Sequence, residues 1–208
     1  MNDLYALFRH SLAGLRALLL LTVVLGLAYP LALTGITQVA MPWRANGSLV
    51  DVSGGHVTEP RDAVGSALLG QVVVGPGLFQ PRPSAAGAGY DPLSTSGSNL
   101  GPEDRRLVAT IEQRRSAVAA REGVAPGAVP PDAVTASGSG LDPDISPAYA
   151  DLQVARVAEA NALSVPEVRR LVERHTSGRT LGILGEPRVN VLGLNLDVLR
   201  LAGARAAD

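Results

Sequence analysis

Hydrophobic and polar positions divide this chain unevenly. From Ala17 to Trp43 there is an uncharged, largely apolar run, bracketed by Arg16 and Arg44. At roughly 27 residues and 1.5 Å per residue it makes a helix of about 40 Å, long enough to cross about 30 Å of bilayer hydrocarbon with some tilt. A cleavable signal peptide carries a shorter apolar core, about 7 to 15 residues, so the run predicts an uncleaved anchor. No later stretch approaches this length, and the rest of the chain hangs from one transmembrane helix.

Within that helix Thr22, Gly26, Pro30, Thr34 and Gln38 recur at four-residue spacing. Small and hydrogen-bonding residues in such a row let a second helix approach closely, which predicts partner-helix packing. The plainer alternative is a lone anchor kinked by Pro30, with Thr34 satisfying nearby backbone.

Downstream the periods are shorter. Ser48–Val52, Ser66–Leu69 and Val72–Val74 read as short strands separated by Gly-rich breaks. Residues 75–102 form a long Pro/Gly/Ser-rich loop with neither period, and loops of that length are usually functional or disordered. An amphipathic helix is predicted from Pro102 to about Glu122. Ser146-Pro147 opens another over Tyr149 to Leu163. Ser164 with Glu167 forms a capping box for a third, Val165 to Thr176. Val189 to Leu194 alternates like a last strand before a short terminal helix. The expected fold is therefore a single N-terminal transmembrane helix followed by one small mixed α/β (α+β) soluble domain: a short N-terminus (1–16), the anchor (17–43) and the domain (44–208).

Charge gives the anchor a direction. Arg9 and Arg16 against Asp3 favour a cytoplasmic N-terminus, which sends residues 44–208 to the extracytoplasmic side. The chain has no cysteine and no lysine. Thiol nucleophiles, Schiff bases and the P-loop lysine are thereby excluded. A net charge of −1 without a basic face argues against nucleic acid.

Candidate chemistry is thin. His10, His56 and His175 lie far apart, so no metal site is expected. Asp142-Pro143-Asp144-Ile145-Ser146 begins like a calcium loop, but Pro147 replaces the required glycine. Ser137-Gly138-Ser139-Gly140 lacks the outer glycine of a nucleophile elbow. A Ser/Gly loop of this kind can present an anion nest, a weak phosphate signal without lysine. A membrane-tethered enzyme would need a nucleophile and base that the sequence does not bring together.

The residues nevertheless resemble one family along the whole chain, the C subunit of the bacterial Kdp potassium-transporting P-type ATPase. The likeness runs through Tyr29-Pro30, Thr34-Gly35, Ala45-Asn46-Gly47-Ser48-Leu49, Gly65-Ser66-Ala67-Leu68-Leu69-Gly70-Gln71, Phe79 with Arg82-Pro83-Ser84-Ala85, and Gly97-Ser98-Asn99-Leu100-Gly101-Pro102. It is densest over Val134-Thr135-Ala136-Ser137-Gly138-Ser139-Gly140-Leu141-Asp142-Pro143, then Gln153, Arg156-Val157-Ala158, Gly185-Glu186-Pro187 and Val189-Asn190-Val191-Leu192. Asp144, Glu159 and Asn161 depart from the family pattern.

The resemblance implies a non-catalytic subunit in the cell membrane. Its partners would be a channel-like potassium-conducting subunit, a P-type ATP-hydrolysing subunit and the lipid bilayer. The family is described as a catalytic chaperone raising ATP affinity, which would make Ser137, Gly138, Ser139, Gly140 and Gln153 nucleotide-related. No cofactor is expected to reside on the chain itself; ATP and potassium would be handled by the complex. Phe79, Arg82, Tyr90 and Asn99 would mark a partner-contact loop. The alternative is an ATP-binding regulator, which needs the opposite orientation, because an extracytoplasmic domain cannot touch cytoplasmic ATP.

Overall fold

A computed structural model describes residues 2–207 and divides the chain into two compact units, Met1–Gly47 and Ser48–Asp208. The first unit is helical. Helix α1 spans Asn2–Val23, a π-helical turn follows at Val24–Ala28, and α2 continues over Tyr29–Ala40. The helix therefore begins some 15 residues before the expected Ala17, because Leu4 to Leu15 keep a helical apolar pattern despite the arginines.

The helix also ends before Trp43. Met41 leaves helical geometry at φ −150° and ψ 63°, as the residue before a proline tends to. Pro42–Ala45 then forms the single turn α3. The π-turn lies directly before Pro30, whose ring would clash with the carbonyl four residues back in a regular helix. There Tyr29 donates its N–H to the Val24 carbonyl, five residues back.

The second unit holds two three-stranded antiparallel sheets. In the first, β1 (Leu49–Val50) lies between β2 (His56–Val57) and β3 (Gly65–Ser66), with Leu49 opposite Val57 and Ser66. The Asp51 carboxylate shapes the β1–β2 turn by accepting from the Ser53 N–H, Ser53 Oγ and Gly55 N–H. These hydrogen bonds, that of the Ser53 side chain foremost, hold the Asp51 carboxyl below the usual carboxylate range. The expected strand at Val72–Val74 is absent: these residues run as irregular chain with Val72 and Val74 exposed. Three consecutive valines make a strand only where a neighbouring edge accepts them.

Helix α4 spans Arg105–Glu122, capped by Asp104, whose side chain accepts from the Arg106 N–H. It is closed by Gly123 in the left-handed conformation at φ +67°. Strand β4 (Asp144–Ile145) leads to α5 (Pro147–Ala160), capped by Ser146 with Pro147 in the first turn. Helix α6 (Val165–His175) carries the full Ser164–Glu167 capping box. In the second sheet β6 (Arg188–Asn190) lies between β4 and β5 (Thr176–Ser177).

The expected Val189–Leu194 strand stops at Asn190, and α7 occupies Val191–Ala207. Asn190 is the reason: its Oδ1 accepts the Gly193 N–H at 3.0 Å, as a helix-capping asparagine does. The core lies where α4 to α7 meet the second sheet, with Ile145, Tyr149, Val157, Val168, Val189 and Leu194 fully or almost fully buried.

Candidate functional site

The long loop is ordered by side chains that reach it from far along the chain. At Phe79 the backbone N–H donates to Asn195 Oδ1 at 2.8 Å, and Asn195 Nδ2 donates to the Phe79 carbonyl at 2.9 Å. At the next residue the Gln80 N–H donates to Gln153 Oε1 at 2.7 Å, and Gln153 Nε2 donates to the Gln80 carbonyl at 3.2 Å. Successive residues of an extended chain point their backbone groups to opposite sides. One amide from α7 and one from α5 thus grip the segment from its two edges, as neighbouring strands would.

The clamp continues outward. Arg156 donates to the carbonyls of Pro76 and Leu78 and to Gln153 Oε1, and it pairs with Glu122 at 2.9 Å. The Glu122 side chain is entirely buried and also pairs with Arg121 at 2.6 Å. Asn161 Nδ2 donates to the Gly77 carbonyl. One departure from the expected contact picture follows. Phe79 has no exposed surface and belongs to the core, which leaves no partner-facing side chain there. Asn161, one of the positions that depart from the family pattern, fastens the loop.

Arg82 and Tyr90 also turn inward. Arg82 NH1 pairs with Asp142 at 2.8 Å, and the Tyr90 hydroxyl donates to the Arg82 carbonyl. Burial pushes the Tyr90 hydroxyl pKa up to about 12. Asn99 alone of the four anticipated contact residues is exposed, in the left-handed conformation at φ +51°.

The Ser/Gly segment is the inner wall of the same assembly. Ser137 is buried; its N–H donates to the Pro83 carbonyl and its Oγ accepts the Gly140 N–H at 2.7 Å. Ser139 Oγ accepts the Leu141 N–H, and the Ser139 carbonyl accepts the Ser96 N–H. Ser84 Oγ donates to the Gly140 carbonyl at 2.7 Å. Gly140 sits at φ +72°, where a Cβ would approach Ala86 N to 2.6 Å. Gly138 is exposed, and its carbonyl would lie 3.0 Å from a Cβ on Gly97. Ser137, Ser139, Gly140 and Gln153 therefore meet one stretch of loop, residues 80 to 96, through hydrogen bonds that stay within the fold.

Several concavities open beside this assembly, three of them lined as follows. One of about 250 Å³ is lined by Tyr90, Arg114, Arg121 and Tyr149 under Pro81 and Pro83. Burial raises the Tyr149 hydroxyl pKa, although Arg121, which donates to that hydroxyl, works the other way. A second, of about 390 Å³, holds Arg82, Asp132, Asp142, Asp144, Glu186 and Arg188. There burial lifts the Asp144 carboxyl against the opposing pulls of Asn190 and Arg188. The third is an apolar groove of about 200 Å³ between Leu69, Val72 and Val74 and α7 residues Leu192, Leu196 and Leu199. Among the described residues no group of three or more His, Asp or Glu side chains gathers as a metal cage.

In the anchor, Thr22, Gly26, Pro30 and Thr34 are exposed. Thr34 Oγ1 donates to the Pro30 carbonyl at 2.8 Å. Gln38 and Asn46 exchange two amide hydrogen bonds, at 3.2 and 3.0 Å, so Gln38 has a partner within its own unit. Leu4 to Ala40 form one stretch long and apolar enough to cross a membrane, 37 residues with a mean hydropathy of 2.2 in its best window.

The chain thus joins one apolar helix of membrane-spanning length to a small two-sheet domain, an arrangement consistent with a single-pass membrane protein. The family model described as KdpC, K+-transporting ATPase, c chain, matches residues 11–200, and the chain belongs to that family. Relatives agree over nearly full length. The potassium-transporting ATPase KdpC subunit of Kineococcus radiotolerans is 54% identical over 190 residues, covering 91% of this chain and 93% of the relative. That of Koribacter versatilis is 48% identical, covering 85% and 87%. That of Mycobacterium tuberculosis is 47% identical, covering 93% and 99%. The chain is thus similar to subunits of a potassium-transporting ATPase.

Proposed function

We propose that this chain is a non-catalytic accessory subunit of an ATP-driven potassium uptake complex, assembling and stabilising a channel-like subunit and a P-type ATPase subunit. It would be a single-pass protein with a cytoplasmic N-terminus and an extracytoplasmic domain. Any effect on ATP affinity would be indirect, transmitted through the partners.

One observation carries this reading. The side-chain amide of Gln153, the residue singled out for nucleotide contact, is buried and closes both backbone groups of Gln80. To bind a nucleotide it would have to abandon two hydrogen bonds within the fold and leave the loop backbone unpaired. The Ser/Gly segment supports the same conclusion, because Ser137 and Gly140 are held against Pro83 and Ser84.

A reporter fused after Asp208 tests the orientation, and activity restricted to the extracytoplasmic side is expected. Cytoplasmic activity would return direct ATP contact to consideration. Co-purification with two larger membrane proteins is expected in parallel, and isolation of the chain alone from gently solubilised membranes would overturn the accessory role.

A further inference from the structure

The anchor helix is longer than a membrane requires. Leu4–Ala40 is 37 residues, about 55 Å of helix, against about 30 Å of hydrocarbon and about 40 to 45 Å with the headgroup layers included. The excess lies before Arg16. There Leu4, Leu7, Phe8 and Leu15 are 50 to 77% exposed, and at about 100° per residue they share one arc of the helix. Arg9 and Arg16, seven residues apart, fall about 20° from each other beyond the far edge of that arc and about 10 Å apart along the axis. The Tyr5 ring lies under the Arg9 guanidinium, 5.8 Å from its centre. No acidic residue occurs between Asp3 and Asp51.

We propose that Leu4–Arg16 is a binding surface for anionic phospholipid, with Arg9 and Arg16 each holding a headgroup phosphate. Leu4, Leu7, Phe8 and Leu15 sink among the acyl chains below. A tilt of about 40° brings the whole 55 Å helix within the headgroup-to-headgroup thickness. The arginine face must then turn toward the headgroups and the apolar arc toward hydrocarbon, so the same two residues fix the rotation of the anchor about its axis. Charge selects the occupant: two guanidiniums on one side of the helix, in a stretch with no acidic residue between Asp3 and Asp51, match phosphate oxygens, and zwitterionic headgroups offer them no net negative field. The inference rests only on the helix crossing a membrane, so it stands or falls separately from assembly with transporter subunits.

The chain has no cysteine, so Ser11→Cys in the full-length protein places one environment-sensitive fluorophore beside the apolar arc. In nanodiscs containing both lipids, spin-labelled phosphatidylglycerol is expected to quench it more strongly than spin-labelled phosphatidylcholine. Arg9→Gln and Arg16→Gln should each reduce that preference about fivefold, and high salt should weaken it. Arg9→Lys with Arg16→Lys keeps the charge and should keep the preference. Equal quenching by the two lipids, or a preference unchanged in the double glutamine variant, would overturn the proposal. So would loss of quenching by both lipids in the assembled complex, since a protein surface would then occupy the arc.

Discussion

Gln153 and Gln80 form a closed ring of two hydrogen bonds, the α5 side-chain amide taking the N–H at 2.7 Å and giving to the carbonyl at 3.2 Å. This is the exchange a neighbouring strand would make, performed by a single side chain. Replacing it exposes what the ring was worth.

Gln153→Ala leaves one buried donor and one acceptor of the loop unpaired and frees one Arg156 contact. The expected loss is about 2 to 4 kcal/mol, since each unsatisfied group costs about 1 to 3. Thermal unfolding of the detergent-solubilised chain measures it. A variant as stable as the parent would mean that water or a neighbour replaces the amide.

Gly140→Ala adds a Cβ 2.6 Å from Ala86 N in a left-handed conformation. Backbone must move on both sides of the contact, and a loss of about 2 to 4 kcal/mol is expected. Gly138→Ala, where nothing lies within 4 Å of the added carbon, should cost far less. The difference between the two in the same unfolding assay reports the clash with Ala86 together with the left-handed backbone strain at Gly140, apart from any general effect of alanine.

Tyr90 gives an alkaline signature. Burial raises its folded pKa from the ordinary 10.0 to about 12, so its neutral form is favoured by folding. That contribution is fully present below pH 10 and is lost as pH rises toward 12. Ultraviolet titration should show late-titrating tyrosine signal that falls by one residue in Tyr90→Phe, with Tyr149, also raised by burial, supplying the remainder. A normal set of tyrosine transitions in the folded protein would contradict the buried placement.

Asp144 acts in the opposite pH range. Its folded pKa is raised, chiefly by burial, so its contribution to stability is present below the unfolded carboxyl value and is lost as pH rises through the folded one. Asp144→Asn should therefore cost less at neutral pH than at pH 3 relative to the parent. Its pairing with Arg188 at 3.0 Å opposes the effect, and Asp144→Asn with Arg188→Gln removes that opposition. Chemical denaturation at the two pH values reads both comparisons.

In the anchor, Gly26→Leu with Thr34→Leu puts two large side chains on the exposed four-residue row. If a partner helix packs there, recovery of the assembled complex should fall at least tenfold on affinity purification while membrane insertion is kept. Undiminished recovery would show that the row faces lipid.

The helix starts were legible because their signals are local. Ser146 and the Ser164–Glu167 pair act within three residues of themselves, and sequence spacing alone reveals them; α4 instead begins at Arg105 behind the Asp104 cap, three residues after the expected Pro102. The Val189–Leu194 alternation misled because a short apolar run suits strand or helix equally; Asn190 supplied the deciding hydrogen bond, and its capping role could have been read. The loop was opaque for a different reason. Phe79 is held by a residue 116 positions away and Gln80 by one 73 away, and no local pattern announces such pairing. Long unperiodic sequence looked like surface awaiting a partner, whereas Arg82, Tyr90 and Phe79 bind it to its own domain. The π-turn before Pro30 similarly follows from proline chemistry, but its placement needed the helix to be seen.

The two amide clamps also set an order in time. Residues 79 and 80 emerge from the ribosome well before 153 and 195, so the segment has nothing to pair with until α5 and then α7 are synthesised. A domain whose middle is fastened by α7 cannot finish folding before that helix is made. Until α7 has been made the segment stays unfastened, and a chain cut short before Asn195 would leave Phe79 without its grip.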